Sequence, residues 1–154
     1  PEITWIDRNG KTVPGLTVPT DGVDLARVLY FDAQGDTWIV NTVTGSVAAS
    51  AGEQIEWWAS KDCSGTGLVS LVVYVPGSTV ELVTATDTEY RVVPDSAPPA
   101  TTPIQVASSG TGLTCNSASS TTIDAVLTTT AYPTTTTLPD LSAYAFPVHP
   151  VYGG

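Results

Sequence analysis

The sequence is short of charged residues, and of cations most of all. Charged side chains make up 13% of the chain, about half of the roughly 25% found in an ordinary soluble domain. Five cationic residues stand against fifteen acidic ones, giving a formal net charge of −10 at pH 7. Because phosphate backbones and anionic headgroups repel such a surface, we expect neither nucleic acid nor a membrane as partner.

Long hydrophobic runs and helical patterns are also missing. The longest apolar stretch, residues 71–75 (LVVYV), has the length of a strand and is far from the roughly 20 residues that cross a bilayer. No segment repeats apolar residues at the i, i+3, i+4, i+7 spacing of an amphipathic helix. The sequence therefore predicts a soluble chain without membrane insertion and without substantial helix.

Residue types that carry catalysis or bind metals are scarce. The one histidine, His149, lies between Pro147 and Pro150 near the end of the chain. There is no Gly-x-Ser-x-Gly elbow and no glycine-rich phosphate loop. Asp32 and Asp36 form too sparse an acidic loop for calcium, and a hairpin turn is the favoured interpretation. We predict no catalytic residues, no metal site, no cofactor and a non-enzymatic protein.

Threonine, serine and β-branched residues take the place of the missing charges. Strand-like segments recur at the 8–12-residue spacing of sandwiches and barrels. The chain is therefore predicted to be all-β, an antiparallel β-sandwich or barrel built of hairpins; alternation alone leaves both architectures open. Turn residues such as Asn9-Gly10 predict three hairpins, which join 3–7 to 11–13, 25–32 to 37–43, and 68–75 to 79–84. Further strands are predicted at 54–60, 88–93, 104–107, 112–115 and 122–130.

The distribution of proline predicts the domain organisation. We expect one antiparallel β-domain over residues 1–131, with a linker-like stretch at 94–103 inside it. Residues 132–154 combine threonine, proline and aromatic side chains. Proline removes ladder donors, so this segment is not expected to form a central strand. It is too apolar for a solvated spacer, and we predict an extended C-terminal arm that lies on its own surface or on a neighbour's.

Cys63 and Cys115 are the only cysteines. Neither has metal-ligand spacing or an evident neighbouring base, so we predict a structural disulfide, with two buried free thiols as the alternative. The bond would close a loop of about 53 residues and contribute roughly 4 kcal/mol in the chain-entropy model. A disulfide implies an oxidising final location, and hence an extracellular protein.

The beginning of the sequence bears on the same question. Its first residues show no basic and apolar segments of the kind that make a secretion signal. With no methionine in the chain, the sequence fits either a natural start at Pro1 or a chain trimmed to an ordered start. A disulfide in a protein made without a secretion signal favours a particle released from the cell, such as a virion.

Two short segments resemble known proteins. Residues 56–66 (EWWASKDCSGT) lead from an aromatic strand into an Asp-Cys-Ser-Gly-Thr turn, and a second cysteine follows downstream. This arrangement is similar to a recurrent element of uncharacterised all-β bacterial and phage proteins, and residues 7–13 (DRNGKTV) resemble their opening hairpin. The resemblance covers most of the chain. It implies a surface-exposed or appendage-associated domain and carries no activity with it.

The aromatic residues supply the candidate contact sites. Trp57 and Trp58 are adjacent, so on a strand their side chains point to opposite faces, one into the core and the other outward. We expect Trp57 or Trp58, together with Tyr144, Phe146 and Tyr152, to lie in interfaces. The first hypothesis is a structural or adhesive subunit of an extracellular assembly, such as a phage capsid-decoration or tail-associated protein that self-associates or binds other subunits. The alternative is a carbohydrate-binding module whose exposed aromatics recognise a surface glycan.

Overall fold

A computed structural model describes residues 2–19, 24–70, 75–83, 88–95, 103–111, 114–123, 126–128 and 134–153. All regular secondary structure in these ranges is strand, so the predicted all-β class is confirmed. In chain order the strands are β1 (Glu2–Ile6), β2 (Leu16–Pro19), β3 (Arg27–Phe31), β4 (Thr37–Asn41), β5 (Val47–Ala49), β6 (Glu53–Ile55), β7 (Trp57–Trp58), β8 (Leu68–Ser70), β9 (Thr79–Val83), β10 (Thr88–Val92), β11 (Ile104–Thr111), β12 (Thr114–Ile123), β13 (Val126–Thr128), β14 (Thr134–Thr136) and β15 (His149–Gly153).

Backbone hydrogen bonds join the described strands into four sheets. Their strand orders are β1-β15, β2-β3-β4-β5, β14-β10-β9-β6 and β12-β11-β7-β8-β13. Neighbouring strands are antiparallel, with the exception of β6 and β9, which run parallel. The architecture agrees with a β-sandwich built largely of hairpins.

The chain clusters into two compact units. Unit 1 combines Pro1–Ser50 with Leu138–Gly154, and unit 2 comprises Ala51–Thr137. The sequence predicted instead a β-domain over 1–131 followed by an arm over 132–154. The two divisions differ because the C-terminal segment returns to the start of the chain, where β15 pairs with all five residues of β1.

The core of unit 1 lies between its two sheets. Trp5 of β1 packs in one cluster with Val28 of β3 and Val40 of β4, and all three are almost fully buried. The segment before β15 completes the cluster with Leu141 and Val148, both buried. The predicted arm therefore supplies core residues to unit 1, which makes it part of that unit's hydrophobic stabilisation.

Strand β15 is an edge strand, as the proline rule predicts. Among the described strands, β1 is its one partner. The carbonyl of Trp5 accepts the N–H of Val13 at 2.8 Å, so the backbone polar groups of Trp5 point away from β15. Pro150 stands opposite Trp5, and in an antiparallel ladder its own backbone groups then point to the open side. The missing donor of Pro150 thus costs the ladder no hydrogen bond.

The first two predicted hairpins are confirmed, and both use one device. In Asp7-Arg8-Asn9-Gly10 and Asp32-Ala33-Gln34-Gly35 the aspartate Oδ1 accepts the N–H groups two and four residues further on, at 2.8–3.0 Å. The glycine of each turn has φ +85°, a conformation that glycine adopts without steric cost. The Asp32 carboxylate also accepts the indole N–H of Trp38 at 3.0 Å, so this acidic pair belongs to a turn, as expected.

The third predicted hairpin is wrong. β8 and β9, on either side of the turn at 76–78, belong to different sheets. β9 pairs instead with β10, in register from Thr88↔Val83 to Val92↔Thr79. Buried Val69 of β8 and Val80 of β9 belong to the same cluster, so these strands meet through their faces.

Other predicted strands need adjustment. The single strand expected at 54–60 is divided at Glu56, because β6 joins the four-stranded sheet and β7 the five-stranded one. The short strands predicted at 104–107 and 112–115 are replaced by the longer β11 and β12, which pair with each other with a register shift between Val106 and Ser108. Of the strand predicted at 122–130, the described residues belong to the end of β12 and to β13, and the others lie outside the described residues. Most of the linker-like stretch 94–103 lies outside the described residues.

Unit 2 has an apolar cluster on each face of its five-stranded sheet. Leu68 and Val69 are adjacent on β8, so their side chains point to opposite faces. Val69 packs with Val80 and Leu82 of the four-stranded sheet. Leu68 packs with Val106 and with other residues of its own sheet, among them the half-buried Trp57.

The predicted disulfide is present in unit 2. Cys63 and Cys115 are bonded, with their Cα atoms 6.0 Å apart and 52 positions apart in sequence. The bond connects the loop after β7 to the beginning of β12. It agrees with an extracellular location, because disulfides persist in oxidising compartments.

Removing this cross-link should destabilise unit 2. We expect the double variant Cys63→Ser/Cys115→Ser to lower its free energy of unfolding by up to about 4 kcal/mol, because the unfolded chain regains loop entropy. Urea titration followed by amide NMR signals from each unit measures the effect. Signals of unit 1 serve as the internal control, and an unchanged unit 2 midpoint would contradict the prediction.

The C-terminal segment should be required for the stability of unit 1. Leu141→Ala removes a buried side chain and should cost about 2–5 kcal/mol. Leu138→Ala is the matched control, since Leu138 is 40% exposed and its truncation should cost far less. Thermal unfolding of both variants tests the claim, which fails if they are equally stable.

Candidate functional site

The predicted interface residues are divided between the two units. Trp58 of β7 is 5% exposed, and Trp57 is half-buried against the cluster around Leu68, so this pair leaves limited ring surface open. Tyr144 and Phe146 are half-buried against the core of unit 1 and line the same cleft. Tyr152 of β15 is 65% exposed. The structure therefore brings Tyr144 and Phe146 together and leaves the tryptophans in the other unit.

The loop that carries Cys63 is held by serine hydroxyls in addition to the disulfide. Ser108 Oγ accepts the N–H of Cys63 at 3.0 Å and donates to the carbonyl of Ser60 at 2.6 Å. Ser117 Oγ donates to the carbonyl of Lys61 at 2.7 Å. Ser108 is fully buried, so its hydroxyl satisfies loop polar groups that would otherwise lose their hydrogen bonds. These hydrogen bonds fix the backbone of the loop, so the serine hydroxyls have a structural role.

In unit 1, the Asp7 carboxylate fixes the segment that carries Tyr144 and Phe146. Asp7 is 2% exposed. Its Oδ2 accepts the N–H of Ala145 at 2.9 Å, while Oδ1 serves its own turn. The N–H of Arg8 donates to the carbonyl of Ala145, also at 2.9 Å. Both backbone polar groups of Ala145 are thus held by the first hairpin turn, and its two aromatic neighbours are positioned with it.

These hydrogen bonds determine the protonation of Asp7. The pKa of its carboxyl lies below the ordinary value of 3.8, first because of the N–H of Ala145 and further because of the N–H groups of Lys11 and Asn9. Burial acts in the opposite direction, but the net shift is downward. Asp7 is therefore an ionised acceptor at neutral and mildly acidic pH, where charge-assisted hydrogen bonds are strongest.

Lys11 adds a second attachment from the same hairpin. Its ammonium lies 4.8 Å from the centroid of the Tyr144 ring, within the range of a cation–π interaction. The same ammonium donates to the carbonyl of Ala143 at 3.4 Å. The orientation of Tyr144 is therefore fixed by packing and by charge.

The turn between β4 and β5 holds Phe146 from the other side. Asn41 Oδ1 accepts the N–H groups of Val43 and Thr44, at 2.9 and 3.1 Å, and shapes this turn. Gly45 has φ +81°, and a Cβ built there would lie 2.7 Å from the Phe146 ring. The ring therefore packs directly on the backbone of Gly45, and a side chain at this position would displace it.

An open cleft of about 610 Å³ lies between this turn and the C-terminal segment. One part of its lining is apolar and includes Leu138, Pro139 and the two aromatic residues already described. Its volume is within the roughly 300–1,000 Å³ typical of small-molecule sites. Every lining residue belongs to unit 1, so the cleft is a feature of that unit alone.

The polar part of the lining consists of hydroxyls and one carboxylate. Thr44 Oγ1 donates to Ser46 Oγ at 3.1 Å. Asp140 Oδ1 accepts the N–H of Ser142 at 2.9 Å, and the N–H and hydroxyl of Ser142 hold the pKa of Asp140 below its ordinary value. Among the described lining residues, Asp140 is the one charged side chain. The cleft therefore offers hydroxyl groups and a single anionic acceptor.

No protein-family model matches this chain, and neither the curated proteins nor the solved structures give a significant match. The resemblance to bacterial and phage surface proteins accordingly stays a prediction. Within the described part of the chain, there is no helix long and apolar enough to cross a membrane. The same residues contain no group of three or more His, Cys, Asp and Glu side chains that could hold a metal ion.

Sequence reasoning missed most of this site. The sequence indicates the two aromatics as contact residues, but it does not indicate Asp7, Asp140 or residues 44–47 of the turn that leads into β5. The Asp-x-x-Gly pattern at Asp7 does signal a local turn. Its bond to Ala145 spans 138 positions, and no local pattern reports a contact over that distance.

Replacing the Asp7 carboxylate should change the acid stability of unit 1. Because the folded pKa lies below 3.8, the contribution of Asp7 is complete above that value and is lost as pH falls through the folded pKa. We expect Asp7→Asn to lower the free energy of unfolding of unit 1 at neutral pH. We also expect this free energy to fall less in the variant than in the native protein when the pH drops below about 4. Acid titration followed by amide NMR signals of unit 1 measures both effects.

Asp95→Asn is the control for this experiment, since it removes the same charge from an exposed position in unit 2. It should leave the acid titration of unit 1 unchanged. If unit 1 unfolds over the same pH range and with the same midpoint in Asp7→Asn and in the native protein, Asp7 does not have the assigned role.

Proposed function

We propose that this protein is a non-enzymatic structural or adhesive subunit of an extracellular assembly, a phage virion component of the capsid-decoration or tail-associated kind. The disulfide supports an oxidising location. The resemblance of residues 7–13 and 56–66 to phage and bacterial surface proteins supports the virion. The proposed contact surface is the exposed end of strand β15 around Tyr152.

The single observation that carries this proposal is the exposure of Tyr152. Cross-strand partners share a face of the sheet, and Tyr152 stands opposite Ile3, which packs against the core of unit 1. Tyr152 thus lies on the core-facing side of β15, yet 65% of it remains exposed. A large aromatic residue at the rim of a core, with its surface open, is the type of anchor that protein interfaces bury.

Unit 1 also carries most of the exposed large apolar side chains among the described residues. In the described part of the chain, six of the seven large apolar side chains that are exposed belong to unit 1. These six are Leu25, Phe31, Val43, Leu138, Val151 and Tyr152, and the seventh is Val75. Single exposed apolar residues are ordinary on a protein surface, and Tyr152 stands out among these six by its size and its 65% exposure.

The edge of β15 limits how a neighbour attaches. Pro150 presents no N–H on the open side, so a continuous ladder cannot extend from this strand, and prolines at edges suppress aggregation in this way. A partner is therefore held by the side chain of Tyr152 more than by strand addition, while Val151 points to the opposite face of the strand. The net charge of −10 opposes nonspecific association of copies, which favours contact at a defined apolar patch.

Truncating the anchor should weaken assembly without unfolding the protein. We expect Tyr152→Ser to weaken self-association about 30-fold, the equivalent of about 2 kcal/mol for an interface anchor. Sedimentation velocity over a concentration series measures the shift. Phe31→Ser is the control, because Phe31 is also exposed in unit 1 but lies on another strand.

Two results would overturn the proposal. One is that the native protein stays monomeric at every concentration measured and binds none of the components that co-purify with it. The other is equal association of the native protein and Tyr152→Ser.

A further inference from the structure

The cleft of unit 1 combines two kinds of surface that saccharides require. A sugar ring presents apolar C–H faces and a rim of hydroxyls that both donate and accept hydrogen bonds. Leu138 and Phe146 provide apolar contact, while Thr44, Ser46 and Ser142 provide hydroxyls that also donate and accept. Small-molecule sites share this composition of an apolar lining with a few placed polar groups.

We propose that this cleft, between the turn at 44–47 and the segment 138–146, is a binding site for a neutral oligosaccharide. The proposal stands apart from the contact surface on β15 and is independent of the assembly. It also differs in location from a glycan platform on the tryptophans of β7, which lie in unit 2.

The charge of the lining selects the class of saccharide. Asp140 is the one charged side chain among the described residues of the cleft. Its carboxylate is a strong acceptor for sugar hydroxyls. Sialylated, uronic or phosphorylated sugars place an anion beside this carboxylate and inside a strongly acidic protein, so electrostatic repulsion disfavours them. Of acidic and neutral saccharides, the cleft therefore prefers the neutral ones.

The cleft is formed before any ligand arrives. The Asp7 carboxylate holds Ala145 at 2.9 Å, and the N–H of Val148 donates to the carbonyl of Thr42 at 2.9 Å. Phe146 packs on Gly45, so the turn and the C-terminal segment are locked to each other at several points. A preformed site avoids most of the entropy loss that accompanies loop ordering on binding.

Oligosaccharide titration of the full chain tests this proposal. The probes are cellotriose, maltotriose, chitotriose and mannotriose, with sialyllactose as the acidic comparison. We expect saturable amide chemical-shift changes at residues 44–47 and 138–146 with at least one neutral trisaccharide, and weaker binding of sialyllactose.

Matched variants separate the cleft from the rest of the surface. Ser46→Tyr fills the cleft and should lower the affinity at least about tenfold, since its ring occupies the space of the ligand and carries the hydroxyl away from the position of Ser46 Oγ. Val43→Tyr adds a ring of the same size in the same turn, at an exposed position outside the lining, and should bind as the native protein does. Amide spectra confirm that both variants are folded.

Asp140→Asn keeps an oxygen for the N–H of Ser142 while removing the charge, and should weaken neutral-sugar binding several-fold. Tyr152→Ser should leave sugar binding unchanged, which keeps this test distinct from that of assembly. Absence of binding by all four neutral probes, shifts confined to the β7 region, tighter binding of sialyllactose, or unchanged binding by Ser46→Tyr would each overturn the proposal.

Discussion

The organisation of unit 1 depends on the hydrogen bonds that the carboxylate of Asp7 accepts. One oxygen closes the first hairpin turn and the other holds the N–H of Ala145. A buried, ionised acceptor with three backbone donors gives a directional attachment that apolar contacts alone do not give. It fixes where the C-terminal segment returns to the first hairpin, and the positions of Leu141, Val148 and β15 follow from that return.

The returning segment serves stability and surface chemistry together. Its inward side chains complete a core around Trp5, and its outward ones form the cleft and the exposed edge of β15. The core, the cleft and the exposed edge therefore share one stretch of backbone. Any binding at this surface depends on the residues that hold that backbone in place. In this respect Asp7 and Gly45 act as positioning residues for Tyr144 and Phe146.

Local chemistry in the sequence predicted some elements correctly and others not. The turns at Asp7 and Asp32 follow from short-range hydrogen bonds of aspartate and from glycine at φ +85°, so their residues alone indicate them. The turn after Val75 gave the same kind of signal, but the strands around it enter different sheets. A turn dictates that the chain reverses, whereas burial of Val69 against Val80 decides that those strands stack face to face.

The sequence by itself determined the all-β class and the edge position of the proline-containing end, and it limited any disulfide to one possible pair. Each follows from a property of single residues or their neighbours: β-branching, a missing N–H, or the lack of another thiol. The division into two units, the cleft and the function of Asp7 were decided by the tertiary structure. These depend on contacts between residues more than a hundred positions apart, whose free energy arises from burial and geometry that exist once the chain has folded.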